Sequence, residues 1–476
     1  MKKKISDIIL NVIIAVFTLS MLTLLLLYAA RSATVQSADS EVFDKLWIVQ
    51  DYEDTAFASF TSSLCTPELI AYKQSEKDAG ISVANEELTS TVYSVLSDMI
   101  IDIFGADSVC ISEGIEYSSA VRTVTDSDSY IFFEYSADIP FPYIYAFSSA
   151  QSSVDKSMCA NGAVYISKIA FLLEENENGN TSYICYAFDS ENNAYMFEHT
   201  DGSPYMLQTS DKIHLDAYYE SIDNAEFLAN TDIDSTDSDS LEFIYGTLSY
   251  SPIQSSNSIS FLSLDNGDAS AAFLELFELN PEKLNSYVER DGTTVFIGTD
   301  ERLTVSPNKT VEFTSDDEAI PLNKILGYTP SNKGSYTLFD MLKATDVMIN
   351  RFRTAYPEFI GKSAQIKLTG VYKDAVGGNP VFEYSYFYNG VRIDTGLAFR
   401  FVFNSEGICE LSINLTGFTV MSEKRVTLSK ETAFNRILLK LTDISEPQAE
   451  EKRAHAVRPL YTDSGEGLYT IVWAMY

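Results

Sequence analysis

The chain opens with a stretch, Ile8 to Ala30, that holds no Asp, Glu, Lys or Arg; Lys2, Lys3 and Lys4 precede it and Arg31 closes it. As a helix rising about 1.5 Å per residue it spans roughly 34 Å, enough to cross a ~30 Å hydrocarbon core. With the lysines before it, the positive-inside bias predicts a cytoplasmic N-terminus and an extracytoplasmic body. The rival reading is a cleaved secretory signal. The run exceeds the usual signal length, and the candidate sites Ala30, Ala33 and Ala38 carry Tyr28, Arg31 and Gln36 where cleavage wants a small residue. The expectation is an uncleaved, single-pass anchor in the cell membrane. Asn11, Ala15, Thr18 and Leu22 share one face of that helix. Small and polar residues let membrane helices approach closely, so these four form the candidate partner face. The plain alternative puts Asn11 among the headgroups and lets Thr18 bond its own backbone.

Beyond the polar stalk Ser32 to Ser40 the pattern shortens. Asn85 to Phe104 predicts a helix, with Leu88, Val92, Val95, Met99 and Ile103 at spacings of three and four and Gly105 as its stop. Strands follow at Ser129–Asp138, at Tyr143–Phe147 after the break Pro140-Phe141-Pro142, and at Ala163–Leu173 and Tyr183–Phe188 around an Asn/Gly-rich turn. After an acidic stretch, Asn230 to Ser240, Ala271–Leu279 is apolar and Pro281–Arg290 reads as helical. Three strands then run as a meander: Thr293–Ile297, Arg302–Val305 and Thr310–Thr314. A helix-then-sheet unit appears twice after that. The first has the helix Thr337–Phe352 and strands Gln365–Tyr372, Val381–Tyr388, Leu397–Phe403 and Ile408–Phe418. The second, shorter, has a capped helix Ser429–Leu441 and strands Arg453–Tyr461 and Leu468–Tyr476.

The expected fold class is α+β: a transmembrane helix, then an elongated multi-domain body of curved antiparallel sheets, each packed with a helix. The boundaries expected are 1–31 for tail and anchor, 32–229 for an N-terminal α+β domain and 230–240 for the linker. A middle β-rich domain takes 241–334 and a C-terminal α+β domain 335–476.

Charge narrows the partners. Against 33 Lys and Arg stand 68 Asp and Glu, a formal net charge of −35. Four of those cations lie at or before Arg31, so the body is more acidic still; it repels nucleic acid and anionic headgroups. The five cysteines, Cys65, Cys110, Cys159, Cys185 and Cys409, form no CxxC pair. Buried free thiols are expected, with a Cys159–Cys185 bridge as the alternative. The three histidines, His199, His214 and His455, make no metal-binding spacing, so no metal or cofactor is expected. Ser153-Val-Asp-Lys156 matches SxxK, but no SDN-like or KTG-like element accompanies it. Asp232-Ile-Asp234 opens like a calcium loop, yet Asp237 stands where Gly is required and Phe243 where Glu is required. No catalytic residue is assigned.

Several stretches together resemble the YycH/YycI family of membrane-anchored regulators from Gram-positive bacteria, YycH more than YycI. They are the basic-then-apolar N-terminus and Ser129–Pro140 with Phe141–Phe147. To these are added Phe277–Pro281 through Glu289–Gly292, Arg302–Val305 and Val311–Phe313, and the C-terminal unit with Gly378, Phe382-Glu383-Tyr384 and Gly390. The chain departs from that family in its acidity and its Ser/Asp linker. The resemblance implies a non-enzymatic accessory protein. Such a protein modulates a cell-wall sensor histidine kinase of the WalK or YycG type through its helix and its extracytoplasmic domains, together with a second YycH/YycI-like regulator. The alternatives are a cell-surface ligand-binding or adhesion protein and, behind that, a wall-modifying enzyme.

Overall fold

The computed structural model describes residues 66–75, 78–83, 99, 103, 109–140, 144, 165–175, 181–199, 204–207, 248–257, 267–307, 310–315, 319–327, 336, 338–356, 364–375, 378–429, 432, 433, 436, 437 and 457–475. The expected anchor, the stalk and the acidic linker lie outside them. Among the described residues no helix is long and apolar enough to cross a membrane. The body is α+β and rich in sheet.

The first sheet contains β1 (Leu69–Ser75), β2 (Asp78–Val83), β3 (Val109–Ile115), β4 (Tyr130–Pro140), β5 (Tyr165–Glu175), β6 (Thr181–Phe188), β7 (Ala194–His199) and β8 (Tyr205–Met206), with α1 (Tyr117–Thr125) between β3 and β4. Its order is β2-β1-β4-β5-β6-β7-β3, with β8 on β6, and every pairing is antiparallel. The hairpin expected between 173 and 183 is β5–β6. Every residue from Tyr130 to Tyr135 is buried, so this part of β4 is covered on both faces rather than on one. Rings interlock down one face: Phe133 with Phe171 at 6.3 Å, Phe171 with Tyr183 at 6.2 Å, Tyr183 with Tyr205 at 5.4 Å. Of the helix expected at Asn85–Phe104, Met99 and Ile103 are described; both are helical and buried, and the Tyr183 hydroxyl donates to the Met99 carbonyl at 3.4 Å. Two local expectations are corrected. α1 was not expected, yet it buries Ala120, Val121 and Val124 at helical spacing. Ile144 is helical where a strand was expected.

The second sheet is larger. Ahead of it β9 (Ser249–Tyr250) stands apart. Then come β10 (Ile253–Asn257), α2 (Gly267–Glu275), β11 (Asn285–Val288), β12 (Thr294–Ile297), β13 (Glu301–Val305), β14 (Thr310–Ser315), β15 (Ile320–Pro321), α3 (Leu322–Leu326) and α4 (Leu338–Ala355). The chain continues through β16 (Gln365–Lys373), β17 (Pro380–Tyr388), β18 (Val391–Ile393), β19 (Phe399–Phe403), β20 (Gly407–Asn414), β21 (Thr416–Val420), β22 (Arg425–Val426), β23 (Val457–Asp463) and β24 (Leu468–Met475). Its order is β11-β12-β13-β14-β20-β19-β17-β18-β23-β24-β10-β21, with β15 on β20 and β16 on β17; β22 pairs β9 in a two-stranded sheet of their own.

The helix expected at Pro281–Arg290 is corrected to a single 3-10 turn, Pro281–Lys283, followed by β11. The Asn280 side chain accepts from the Glu282 amide and so caps the start of that turn. Ser286-Tyr287-Val288 then fits a strand, and the turn at Gly292 (φ 89°) returns the chain onto it as β12. The expected meander is therefore four strands.

The regions 241–334 and 335–476 share this one sheet. β14 pairs β20 through Val311↔Ile413 and Phe313↔Leu411, and β10 lies between β24 and β21. α4 covers one face, with Leu342, Thr345, Ile349 and Phe352 buried. Phe352 meets Phe277 at 5.4 Å and Phe399 at 6.0 Å. Of the helix expected at Ser429–Leu441, Thr432, Ala433, Arg436 and Ile437 are helical, and the Ser429 hydroxyl accepts from the Thr432 amide at 3.3 Å as its cap. The last hairpin, β23–β24, carries the sheet's parallel contact, β23 with β18.

Candidate functional site

The chemistry that the body concentrates lies where the two sheets meet. β4 runs alongside β16, and the starts of β1 and β23 converge on the same place. In β4 the alternation places Glu134 in phase with Tyr130 and Phe132. It opposes Leu69 of β1 on one side and Lys168 of β5 on the other. The Glu68 amide donates to the Glu134 carbonyl, which draws both carboxylates to one edge.

Arg458, from β23, bridges them. Its Nη1 donates to Glu68 Oε2 at 3.1 Å, and its Nη2 donates to Glu134 Oε1. Lys168 Nζ lies 3.8 Å from the same Glu134 oxygen. Glu134 is buried, its side chain only 7% exposed. A second cation of the C-terminal region reaches the same spot. Lys367 on β16 is buried, donates to the Pro67 carbonyl at 3.0 Å and sits 5.4 Å above the Phe387 ring. Its neighbours in the strand, Ile366 and Leu368, point to the other face of the sheet, which is why a lysine can occupy this phase at all. On the two strands that meet here, Ser136 Oγ and Gln365 Oε1 are shielded from solvent without a hydrogen-bond partner among the described residues.

Two further polar groups are more ordinary. On the exposed end of the second sheet's outer face, Tyr372 donates to Glu383 at 2.6 Å. Arg400 lies 3.7 Å from Glu383 and 2.9 Å from Glu410. Screened by solvent, such a ladder contributes little to stability. On α4, burial pushes the Asp346 carboxyl up to about 6, against Arg353, an Asn350 hydrogen bond and Lys343, which favour its charge.

The four residues of the candidate anchor face, Asn11, Ala15, Thr18 and Leu22, lie outside the described residues, as do Ser153, Lys156, the stretch 232–243, His214 and His455. His199 ends β7. Cys185 and Cys409 are free, buried thiols, and burial pushes both up. Among the described residues no group of three His, Cys, Asp or Glu side chains could hold a metal ion. The inter-sheet cluster was missed from sequence. Its one legible signal was a charge at an apolar phase: Glu134, in step with Tyr130 and Phe132 of an aromatic strand.

No protein-family model matches the chain, and neither does any curated protein. A solved structure of an uncharacterized protein from Eubacterium rectale is similar at 11% identity, over 48% of this chain and 77% of its own, with a TM-score of 0.29. That likeness is too slight to carry an argument about function.

Proposed function

We propose that this protein is a single-pass, membrane-anchored accessory protein of the YycH/YycI type. Its N-terminus is cytoplasmic, its body extracytoplasmic, and it modulates a sensor histidine kinase without catalysing a reaction. One observation carries the reading: the charge-free run Ile8–Ala30 with three lysines before it and an acidic body after it. The sheet-rich α+β body is compatible with a role in contacts. A partner biases a kinase between two states only by binding them differently. The anchor offers Asn11, Ala15 and Thr18 for that purpose, and the body offers its surfaces.

The test is co-purification of the full-length protein with the sensor kinase from membranes, read alongside kinase reporter output. Replacing Asn11, Ala15 and Thr18 together with leucine keeps the segment apolar and removes contacts worth up to ~1–2 kcal/mol each. Association and output are expected to fall several-fold at unchanged expression. A parent-like triple variant refutes the anchor face, and a parent protein that captures no sensor kinase refutes the regulator reading.

A further inference from the structure

The C-terminal hairpin is built into three places at once. β24 pairs with β10 through Ile253↔Tyr469 and Gln254↔Leu468. β23 pairs with β18 through Arg392↔Leu460 and Ile393↔Tyr461 alone. From the start of β23, Arg458 reaches out of the second sheet to hold Glu68 and Glu134 of the first. We propose that this hairpin is a releasable clasp with Arg458 as its pin. It locks the first sheet against the second in one orientation, and withdrawal of Arg458 frees the first sheet while both sheets stay folded.

Four features support release rather than permanent fusion. No hydrogen-bonded strand pair joins the two sheets among the described residues, so their separation breaks no ladder. The contact at the pin is ionic. A buried ion pair specifies geometry strongly but adds little net stability, because the desolvation of its charges offsets their attraction. Glu134 also keeps a cation when Arg458 leaves: Lys168, directly opposite on β5 of the same sheet. Finally, β4 and β16, which run alongside each other, carry Ser136 Oγ and Gln365 Oε1, both shielded and unpartnered among the described residues, and an opening that reaches them hydrates them.

Two features make the closed arrangement the ground state. Buried apolar side chains run in one contiguous cluster through both sheets, and Lys367 adds a second grip on the Pro67 carbonyl. The open form is then a minor state, and any partner that engages Arg458, or the carboxylates it covers, shifts the balance by its differential affinity. The clasp therefore ties segments far apart in the chain, the start of β1 and β4 to β23. It stands on this geometry and does not depend on the sensor-kinase reading.

The experiment uses full-length protein in detergent micelles, with spin labels attached to ketone-bearing residues at Arg122 on α1 and Glu312 on β14, both exposed. Pulsed electron resonance reads the distance between them. The parent is expected to give one dominant narrow distribution with a small longer component. Arg458→Gln is expected to add a longer, broader population, larger than the parent's by on the order of fivefold, with unchanged far-ultraviolet circular dichroism. A parent-like distribution in Arg458→Gln overturns the proposal. If that variant does not fold, Arg458→Lys is read in its place, since lysine keeps the charge but reaches one carboxylate at a time. A smaller second population supports the clasp. A parent-like distribution, or loss of folding with lysine as well, overturns it.

Discussion

Phe277 is the residue that tests whether the middle and C-terminal regions are one cooperative body. It lies just after α2, is fully buried, and touches three rings: Phe273 at 5.4 Å, Phe352 at 5.4 Å and Phe313 at 6.3 Å. These belong to α2, α4 and β14, so one side chain pins three elements drawn from both sides of residue 334. Truncation to alanine in a closed core costs about 3–5 kcal/mol. Each ring pair adds roughly 0.5–1.5 kcal/mol beyond burial, which lifts the cost off the floor of that range, and about 4 kcal/mol is expected for Phe277→Ala. With a urea dependence of roughly 2–3 kcal/mol per molar, the midpoint falls by between about 1.3 and 2 M. The assay is equilibrium urea unfolding of the full-length protein, with hydrogen exchange followed separately in β12–β14 and in β17, β19 and β24. One transition, shifted equally for both groups of strands, is expected, because β14 is laddered to β20. If β12–β14 lose protection early while β17, β19 and β24 unfold at the parent midpoint, the shared sheet is not a cooperative unit and the reasoning fails.

Three other outcomes follow from particular groups. Asp346→Asn tests the carboxyl that burial raises from 3.8 to about 6. A folded value above the unfolded one favours the protonated form. The stability it contributes is therefore full below about pH 4 and is lost as pH rises through about 6, on the order of 2 kcal/mol after screening. The variant should melt higher than the parent above pH 6 by calorimetry and the difference should vanish near pH 4; a constant difference across that window refutes the assignment. Gly407→Ala places a Cβ 2.0 Å from the Ile320 carbonyl oxygen. It should cost roughly 1–3 kcal/mol and open the β15–β20 pairing to hydrogen exchange, so a variant as stable as the parent contradicts that contact. Protease added to intact, wall-stripped cells should digest the body, whereas protection of the body, or a mature form lacking residues 1–30, contradicts the topology.

Much of the fold was legible where two signals coincided. The β5–β6 hairpin shows apolar runs on either side of an Asn/Gly-rich turn, and α4 shows helical spacing over its whole length. Misses came where one signal stood alone or was read for the wrong period. α1 places Ser118, Ser119, Thr123 and Thr125 among its apolar positions, and only packing of Ala120, Val121 and Val124 reveals its face. The stretch after Pro281 was read as a helix, although Tyr287 and Val288 favour a strand and the glycine turn invites pairing. β18 was passed over despite its signal. Asn389-Gly390 takes φ 47° and 75°, the double left-handed turn that closes a two-residue hairpin, and it sits between apolar runs.

The junction between the sheets was illegible for a deeper reason. Local pattern reports the phase of a residue within its own strand, and it holds Glu134 as a charge in phase with Tyr130 and Phe132. It cannot report which distant segment supplies the counter-charge. Arg458 is 324 residues from Glu134 and 390 from Glu68, and its own surroundings, Val457 and Pro459, look like those of any strand start. Two carboxylates, one just before β1 and one on β4, become a site only when a third strand, β23, is folded back beside them. An ion pair of this kind is visible only after the topology is known, and its partners are cheap to exchange for water once the sheets part. That combination distinguishes this cluster from the aromatic core around Phe277, whose members also come from distant segments but whose separation exposes apolar surface with nothing to offset it.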